Sequence, residues 1–245
     1  MKAPYLKWLC FILLWWTEIE SVCCLCQAGQ QSILLSLKDS FTYISSKSTK
    51  VESWELSRDC CKWNGISCDG SGQVIGMDLT GESISAWNYS AGVSGLLYLR
   101  DLNLSFNYFN MEIPPDFANW RQLTALNLSN AGFTGQIPIQ LSQMENLSVL
   151  DLSVSLLYGR APLLLEKPDM KLLVKNLRNL KELYLDGIDL YGDIDNWCQV
   201  LSSSLPKLEV LSLRNCNLSG AIDSSLSDIR SLSRIDLSGN NFSSR

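Results

Sequence analysis

The chain has 245 residues, of which 46% are hydrophobic, and a formal net charge of −5. This composition supports a sizeable core and differs from that of a disordered chain. Histidine is absent, which removes the commonest general base and metal ligand. There is no glycine-rich phosphate loop and no HExxH motif, and the acidic balance gives no electrostatic reason to expect nucleic acid. We therefore predict a protein that is not an enzyme, with no catalytic residues, no metal and no cofactor.

The first residues have the layout of a secretory signal peptide. Lys2 and Lys7 form a basic region, and the apolar segment Leu9–Trp16 is shorter than the ~20 residues that span a bilayer. We predict a signal peptide over residues 1–23, with a short N-terminal anchor as the alternative. Later segments are not apolar enough to cross a membrane, so we predict no membrane span in this chain.

Cysteines crowd the region that follows. The sequence has nine cysteines, and most of them precede residue 70. In the oxidising compartment that a signal peptide implies, such a cluster indicates disulfides, and a zinc site is disfavoured because it needs reduced thiols. The cluster comprises Cys23, Cys24, Cys26, Cys60, Cys61 and Cys68.

A Leu-x-x-Leu-x-Leu block recurs along the rest of the chain. Successive blocks are 25, 24, 24, 33, 28 and 24 residues apart, with central residues Met77, Leu102, Leu126, Leu150, Leu183, Leu211 and Ile235. Because side chains alternate along a strand, the leucines of Leu-x-Leu point to one side. One repeat cannot bury them, whereas stacked repeats bury a continuous core. We therefore predict an α/β leucine-rich-repeat solenoid, with parallel strands on its concave face and about seven repeats over residues 74–245, the last one incomplete.

The residues that follow each block indicate how neighbouring repeats are joined and which class of repeat they belong to. Asn107 and Asn240 fit a ladder in which a buried amide bonds the backbone of adjacent turns, and other residues interrupt that ladder in the middle of the chain. The interrupting residues are Ala131, Ser155, Ile188 and Cys216. A Gly-x-Ile-Pro motif follows at Gly135–Pro138, with partial copies at Glu112–Pro114, Gly192–Ile194 and Gly220–Ile222. This motif resembles that of the plant-specific repeat class, which implies a second short strand and a convex side with irregular or 3₁₀ helix.

The segment Asp59–Cys68, with sequence DCCKWNGISC, resembles the N-terminal cap of plant cell-surface receptors and polygalacturonase-inhibiting proteins. Before it, Ile33, Leu34, Leu37 and Phe41 share one face of a predicted helix. The resemblance implies a disulfide cap over residues 24–73, whose helix covers the first repeat. It also implies the pairings Cys26–Cys60 and Cys61–Cys68.

The segments Leu126–Pro138, Glu182–Leu190 and Trp197–Cys198 are similar to the Verticillium-wilt resistance receptor-like proteins of plants. Those proteins continue through more repeats to a membrane span and a short cytoplasmic tail, whereas this sequence stops at Arg245, inside a repeat. The resemblance implies a protein or peptide ligand, and a co-receptor kinase as a further partner if the chain is part of a full-length receptor.

The outward positions of the concave strands form the predicted binding surface, because solenoids commonly recognise partners there. Ser105, Ser129 and Ser212 are among these positions, many of which are expected to be merely solvated. Tyr and Arg are enriched at binding hot spots. The predicted ligand-binding residues are Asp151, Tyr184, Asp186, Arg214 and Arg234.

Three further features leave alternatives open. Six sequons predict N-glycans, and modification is favoured at Asn88 and Asn146 because these lie off the strands. The sequon asparagines are Asn88, Asn103, Asn127, Asn146, Asn217 and Asn241. The insertion over residues 159–176 is either a structural bulge on the convex side, which we favour, or a ligand-binding island. Cys198 and Cys216 either pair with each other or remain buried thiols.

The resemblance implies that the chain is an extracellular recognition module of plant defence that binds a pathogen-derived protein or peptide. One alternative is a secreted inhibitor of fungal cell-wall-degrading enzymes, and another is a truncated product without activity. We expect the chain in the apoplast, or at the plasma membrane if the full-length protein continues to a membrane span.

Overall fold

The computed structural model describes residues 25–88, 95–155, 163–190 and 196–243. The predicted signal peptide, Cys23, Cys24 and the partial motif Gly192–Ile194 lie outside these residues. None of the helices within them is long and apolar enough to cross a membrane.

The N-terminal cap is built on helix α1, Ala28–Ser40, which buries Leu34 and Leu37 against the first repeat. The helix stops one residue earlier than predicted, because the backbone becomes extended at Phe41. Strand β1, Phe41–Tyr43, pairs antiparallel with β4, Ile84–Trp87. The Phe41 ring still enters the core, where it packs edge-on against Trp87 at a centroid distance of 5.2 Å.

Both disulfides implied by the resemblance are present, Cys26–Cys60 and Cys61–Cys68. Asp59 holds the two bridges together, since its carboxylate accepts the N–H of Cys26 at 3.1 Å and that of Cys61 at 2.8 Å. Fixing the cap in this way covers the end of a solenoid that would otherwise expose its leucines.

The concave face is an eight-stranded sheet. Strand β2, Ile66–Cys68, comes from the cap and pairs antiparallel with β3. The remaining strands are parallel, one from each repeat: β3 (Val74–Asp78), β5 (Asp101–Asn103), β6 (Ala125–Asn127), β8 (Val149–Asp151), β10 (Glu182–Tyr184), β11 (Val210–Ser212) and β13 (Arg234–Asp236). The predicted central residues pair directly across this sheet, from Met77 with Leu102 to Leu211 with Ile235. The predicted parallel solenoid is therefore confirmed.

Second strands follow the concave ones, as the plant-specific class implies. Strand β7, Gly135–Gln136, pairs with β9, Leu163–Leu164, and β12, Ser219–Gly220, pairs with β14, Asn241–Phe242. The convex side carries 3₁₀ helices and two short α-helices. They are the 3₁₀ helices Pro115–Asn119, Ile139–Gln143 and Ser224–Asp228, and the helices α2 (Met170–Val174) and α3 (Trp197–Ser204).

The described part of the insertion packs on the solenoid. Gln136 accepts the backbone N–H groups of Glu166 and Lys167 through its side-chain oxygen at 3.3 and 3.2 Å. Asp169 caps α2 by accepting the N–H of Leu172 at 2.7 Å. Helix α2 contacts the 3₁₀ helix Ile139–Gln143 and α3. These contacts support the structural bulge on the convex side, and residues 159–162 lie outside the described part.

The asparagine ladder forms where it was predicted. Asn107 donates to the carbonyls of Leu79 and Leu104, both at 2.8 Å, and Asn240 donates to the equivalent carbonyls of Leu213 and Leu237. Cys216 substitutes for asparagine in part, since its thiol lies 3.2 Å from the carbonyl of Leu185. Burial raises the pKa of this thiol to about 12, so it stays protonated and can donate.

Cys198 and Cys216 are both buried and form no disulfide with each other. The sequence left open a Cys198–Cys216 disulfide or two buried thiols, and the structure has the two buried thiols.

Candidate functional site

The outward side chains of the concave strands form aligned rows, because the strands pair in register. Tyr184 lies between Asp151 on one side and Ser212 on the other. The N-terminal part of the surface carries short polar side chains such as Asn103 and Asn127. The longer side chains stand in the C-terminal half, where four of the predicted ligand-binding residues lie close together.

Tyr184 and Arg234 form one half of this group. The Tyr184 hydroxyl donates to Glu182 at 2.7 Å and accepts from Arg234 at 3.2 Å. Burial, reinforced by the bond to Glu182, raises the pKa of Tyr184 above its usual value. The hydroxyl therefore remains protonated and fixes the orientation of its ring.

Arg214 and Asp186 form the other half. Asp186 accepts from the Ser212 hydroxyl at 2.7 Å and from the Arg214 backbone N–H at 2.8 Å. The Nε of Arg214 donates to Ser238 at 3.1 Å and lies 3.5 Å from the Asp236 carboxylate. With 52% of its side chain exposed, Arg214 is held at its Nε yet remains accessible, and a guanidinium is suited to binding a carboxylate partner.

Asp151 is less accessible than predicted. It is half-buried, and its carboxylate accepts the N–H of Ser153 at 3.0 Å. Burial raises its pKa, and the charge of Asp186 in the next repeat adds to that effect. Asp151 lines the same surface as the other four residues but is chiefly engaged within its own repeat.

A polar recess of about 350 Å³ joins the concave face to the turns that follow the strands. Asp186 and Arg214 line it together with Asn130, Ser153, Ser155 and Asn215. A recess with one carboxylate, one guanidinium and several amides and hydroxyls can bind a polar side chain or chain terminus through directed hydrogen bonds.

The prediction that Ser105, Ser129 and Ser212 are outward contact positions is wrong. Their exposures are 2%, 7% and 7%, because these hydroxyls bond polar side chains beside them on the sheet. Ser105 contacts Thr80 at 3.2 Å, and Ser129 donates to Asn127 at 2.7 Å.

The sequon asparagines fall into two groups. Asn103 and Asn127 are half-buried, and each side-chain oxygen accepts the N–H two residues ahead, at 3.0 and 2.9 Å. The exposed ones are Asn88, Asn146, Asn217 and Asn241. Accessibility favours these four as glycan acceptors.

Sequence reasoning missed Glu82, which is only 2% exposed. It occupies the ladder position of the first repeat, 25 residues before Asn107. Its carboxylate accepts the backbone N–H groups of Lys50 and Val51 at 2.9 and 3.1 Å. Aligning the repeats at the ladder position would have singled it out, although not its partners in the cap.

Comparisons with known proteins agree with this architecture. The family model of the leucine rich repeat N-terminal domain matches residues 28–69, and that of the Leucine Rich Repeat matches residues 98–120 and 207–229. Receptor-like protein 7 of Arabidopsis thaliana is 40% identical over 178 residues, covering 69% of this chain and 18% of the relative. Receptor-like protein 6 of the same plant is 37% identical over 195 residues, covering 78% and 19%. The chain thus spans less than a fifth of the length of these relatives.

Solved structures match along most of the chain. Pollen Receptor Kinase 3 superposes with a TM-score of 0.65 at 25% identity, covering 86% of this chain and 95% of that one. A chain of the BIR3–SERK2 complex from Arabidopsis thaliana gives a TM-score of 0.50 at 25% identity, covering 87% and 94%. The chain therefore belongs to the leucine-rich-repeat family, and its cap and repeats are those of a plant receptor-like protein ectodomain.

Proposed function

We propose that the chain is an extracellular recognition module that binds a protein or peptide ligand on its concave face, as part of a receptor-like protein ectodomain in plant defence. The observation that carries this proposal is the pair of anchored hot-spot side chains, Tyr184 and Arg214. Both are held by neighbouring groups before any ligand arrives. Binding then orders few additional side chains, which lowers its entropic cost.

The ligand class follows from the chemistry of this surface. Arg214 offers charge-assisted hydrogen bonds, Asp186 offers acceptors, and the recess between them provides depth. A pathogen-derived protein or peptide with an acidic group beside a polar chain suits this combination. The similarity to the BIR3–SERK2 complex supports a co-receptor kinase as a further partner. The place of action is then the apoplast, or the plasma membrane if a longer protein supplies an anchor.

The test is a binding titration with the secreted chain immobilised on a sensor. Protein and peptide fractions of fungal culture filtrates are the probes. We expect Arg214→Glu and Tyr184→Ala to weaken binding at least tenfold, a change of about 1.4 kcal/mol. Arg178→Glu is the matched control, because Arg178 is exposed in the turn before β10, away from the recess.

Folding has to be measured alongside binding. If Arg214→Glu and Tyr184→Ala bind like the parent, or lose binding only in proportion to lost folding, the concave-face proposal is wrong. Purified fungal pectinases are assayed in parallel, and their inhibition at stoichiometric concentration would favour the secreted-inhibitor alternative.

A further inference from the structure

The two disulfides of the cap meet at adjacent residues, Cys60 and Cys61, in the 3₁₀ helix Cys60–Lys62. The Sγ atoms of Cys26, Cys60 and Cys61 lie within 4.8 Å of one another. A disulfide joins sulfurs about 2.05 Å apart, so little more than a change of rotamer separates the Cys61 sulfur from a bond to Cys26. Among the described cysteines, Cys68 lies outside this group of three.

Backbone contacts hold these sulfurs together whichever of them are paired. The Asp59 carboxylate accepts the N–H groups of Cys26 and Cys61 at 3.1 and 2.8 Å. Strand β2 is held separately, since it pairs with β3 through the register of Ile66 with Met77. The cap therefore keeps Cys61 beside Cys26 after a bridge has opened.

The two bridges differ in access to solvent and in the segments that they tie. Cys60 is fully buried, whereas Cys61 and Cys68 are both partly exposed. The Cys26–Cys60 bridge spans 34 residues and ties α1 to the 3₁₀ helix, and the Cys61–Cys68 bridge spans 7 residues and ties the end of β2. A thiol in solution therefore meets both sulfurs of the short bridge, but a single accessible sulfur of the long one.

We propose that the cap cysteines form a redox-sensitive switch in which Cys61 changes its partner from Cys68 to Cys26. The thiolate of a low-molecular-weight thiol, such as glutathione, attacks the Cys68 sulfur, and the electron pair of the broken bond leaves on Cys61. A second molecule of that thiol displaces the first from Cys68, so two thiols are oxidised to a disulfide and one bridge of the cap is reduced.

The second step is an exchange without net oxidation. The Cys61 thiolate attacks the Cys26 sulfur, the Cys26–Cys60 bond breaks, and Cys60 leaves as a thiolate that takes up a proton. Attack on Cys60 itself is disfavoured, because neighbouring Cα atoms are about 3.8 Å apart and disulfides span about 4.4–6.8 Å.

The exchange keeps α1 covalently tied while it releases the end of β2. Since β2 is the strand through which the cap covers the first repeat, redox conditions control the order of that end of the concave sheet. Tyr184 and Arg214 lie on β10 and after β11, at the far end of the same sheet. The inference therefore does not rest on the proposed ligand site.

Single substitutions in the whole secreted chain isolate the exchange step. Cys68→Ser leaves Cys61 without its partner, and Cys60→Ser leaves Cys26 without its partner. Free thiols are trapped with N-ethylmaleimide, and tandem mass spectrometry locates the label. We expect label at both Cys60 and Cys61 in Cys68→Ser, and at both Cys26 and Cys68 in Cys60→Ser. Label confined to Cys61 in the first variant, or to Cys26 in a folded second variant, would overturn the proposal.

The matched control is Cys26→Ser, which opens the same long bridge from its other end. The freed thiol is then Cys60, whose sulfur is not grouped with that of Cys68, so we expect label at Cys60 alone and an intact Cys61–Cys68 bridge. Label at Cys68 in this variant would show unspecific reshuffling and would overturn the proposal. A bond from Cys61 to Cys24 in place of Cys26, in any of the variants, would do the same.

The parent chain, treated with increasing glutathione, tests the complete switch. We expect label at Cys60 and Cys68 while Cys26 stays paired, together with lost hydrogen-exchange protection in β2 and unchanged protection in α1. Equal labelling of Cys26 and Cys60 would mean direct reduction of the long bridge, against the proposal. The buried thiols Cys198 and Cys216 report unfolding, and their labelling in step with Cys68 would show that the short bridge holds the whole fold, which also overturns it.

Discussion

Glu82 joins the cap to the first repeat through a buried carboxylate. At this position of two later repeats, Asn107 and Asn240 donate to carbonyls of the preceding turn. The first repeat follows the cap, which presents the N–H groups of Lys50 and Val51 there. An acceptor is required instead of a donor, and glutamate supplies it.

Replacing Glu82 with alanine should therefore destabilise the chain. The buried N–H of Val51 and the part-buried N–H of Lys50 would lose their acceptor, and an unsatisfied buried group costs about 1–3 kcal/mol. Chemical denaturation measures the change in the free energy of unfolding. Glu52→Ala is the control, because Glu52 is exposed and its carboxylate accepts from the exposed hydroxyl of Tyr43 at 2.9 Å, so we expect a change within about 0.5 kcal/mol. Equal losses from the two variants would rule out the special role of Glu82.

Asp151 makes stability depend on pH. Its pKa is raised in the folded state, so ionisation is less favourable in the fold than in the unfolded chain. The stabilising contribution is complete below the unfolded pKa of about 3.9 and is lost as pH rises through the folded pKa. Asn103 and Asn127, at the same position of other repeats, accept the same hydrogen bond through an amide oxygen without charge.

Asp151→Asn should therefore be more stable than the parent at neutral pH, and this advantage should disappear at about pH 3. Thermal unfolding across that range is the measurement. The substitution creates a sequon with Ser153, so both proteins are prepared without glycosylation. A variant that is less stable at neutral pH, or whose advantage is independent of pH, would contradict the argument.

At the scale of elements, the strands were predictable because their pattern is local. The repeated leucines fix both the period and the face, and pairing in register follows from stacking identical units. The end of α1 was missed by one residue, because the strand that begins at Phe41 is selected by pairing with β4, more than 40 residues later. The burial of Ser105 and the role of Glu82 were missed for the same reason, since their partners come from neighbouring turns.

The strand β10 provides a test of stacking. Leu183 is fully buried between Leu150 and Leu211, so Leu183→Ala should leave a cavity and destabilise by about 2–5 kcal/mol. Leu172→Ala is the same chemical change at a leucine that is 46% exposed, with an expected effect within about 0.5 kcal/mol. Denaturant titration monitored by circular dichroism measures the free energy of unfolding of the two variants. Similar losses from both variants would mean that the repeats share no tightly packed core.

At the scale of the whole molecule, the two ends of the described solenoid differ. The cap strand β2 and helix α1 cover the N-terminal end, where Met77 is 1% exposed. At the other end, Ile235 is 46% exposed and Ile222 is 44% exposed. Leu211, which occupies the position of Ile235 in the preceding repeat, is fully buried. A recess of about 510 Å³ lies between them, lined by apolar residues that include Leu226, Ile229 and Leu232. In a solenoid stabilised by nearest neighbours, a repeat with one neighbour is the least stable one.

Hydrogen exchange on the 245-residue chain tests this difference. We expect protection to be lowest from Leu232 onward, because among the described strands β13 pairs with β11 alone, and highest in the repeats around Leu102–Leu150. The unpaired edge of β13 and the exposed Ile235 also favour association between chains, so sedimentation should show concentration-dependent oligomers. Ile235→Lys should shift them towards monomer at little cost in stability, because nearly half of this side chain is already exposed. A monodisperse monomer whose terminal strand is protected as well as the central ones would contradict the prediction and would mean that the last repeat is stable with a single neighbour.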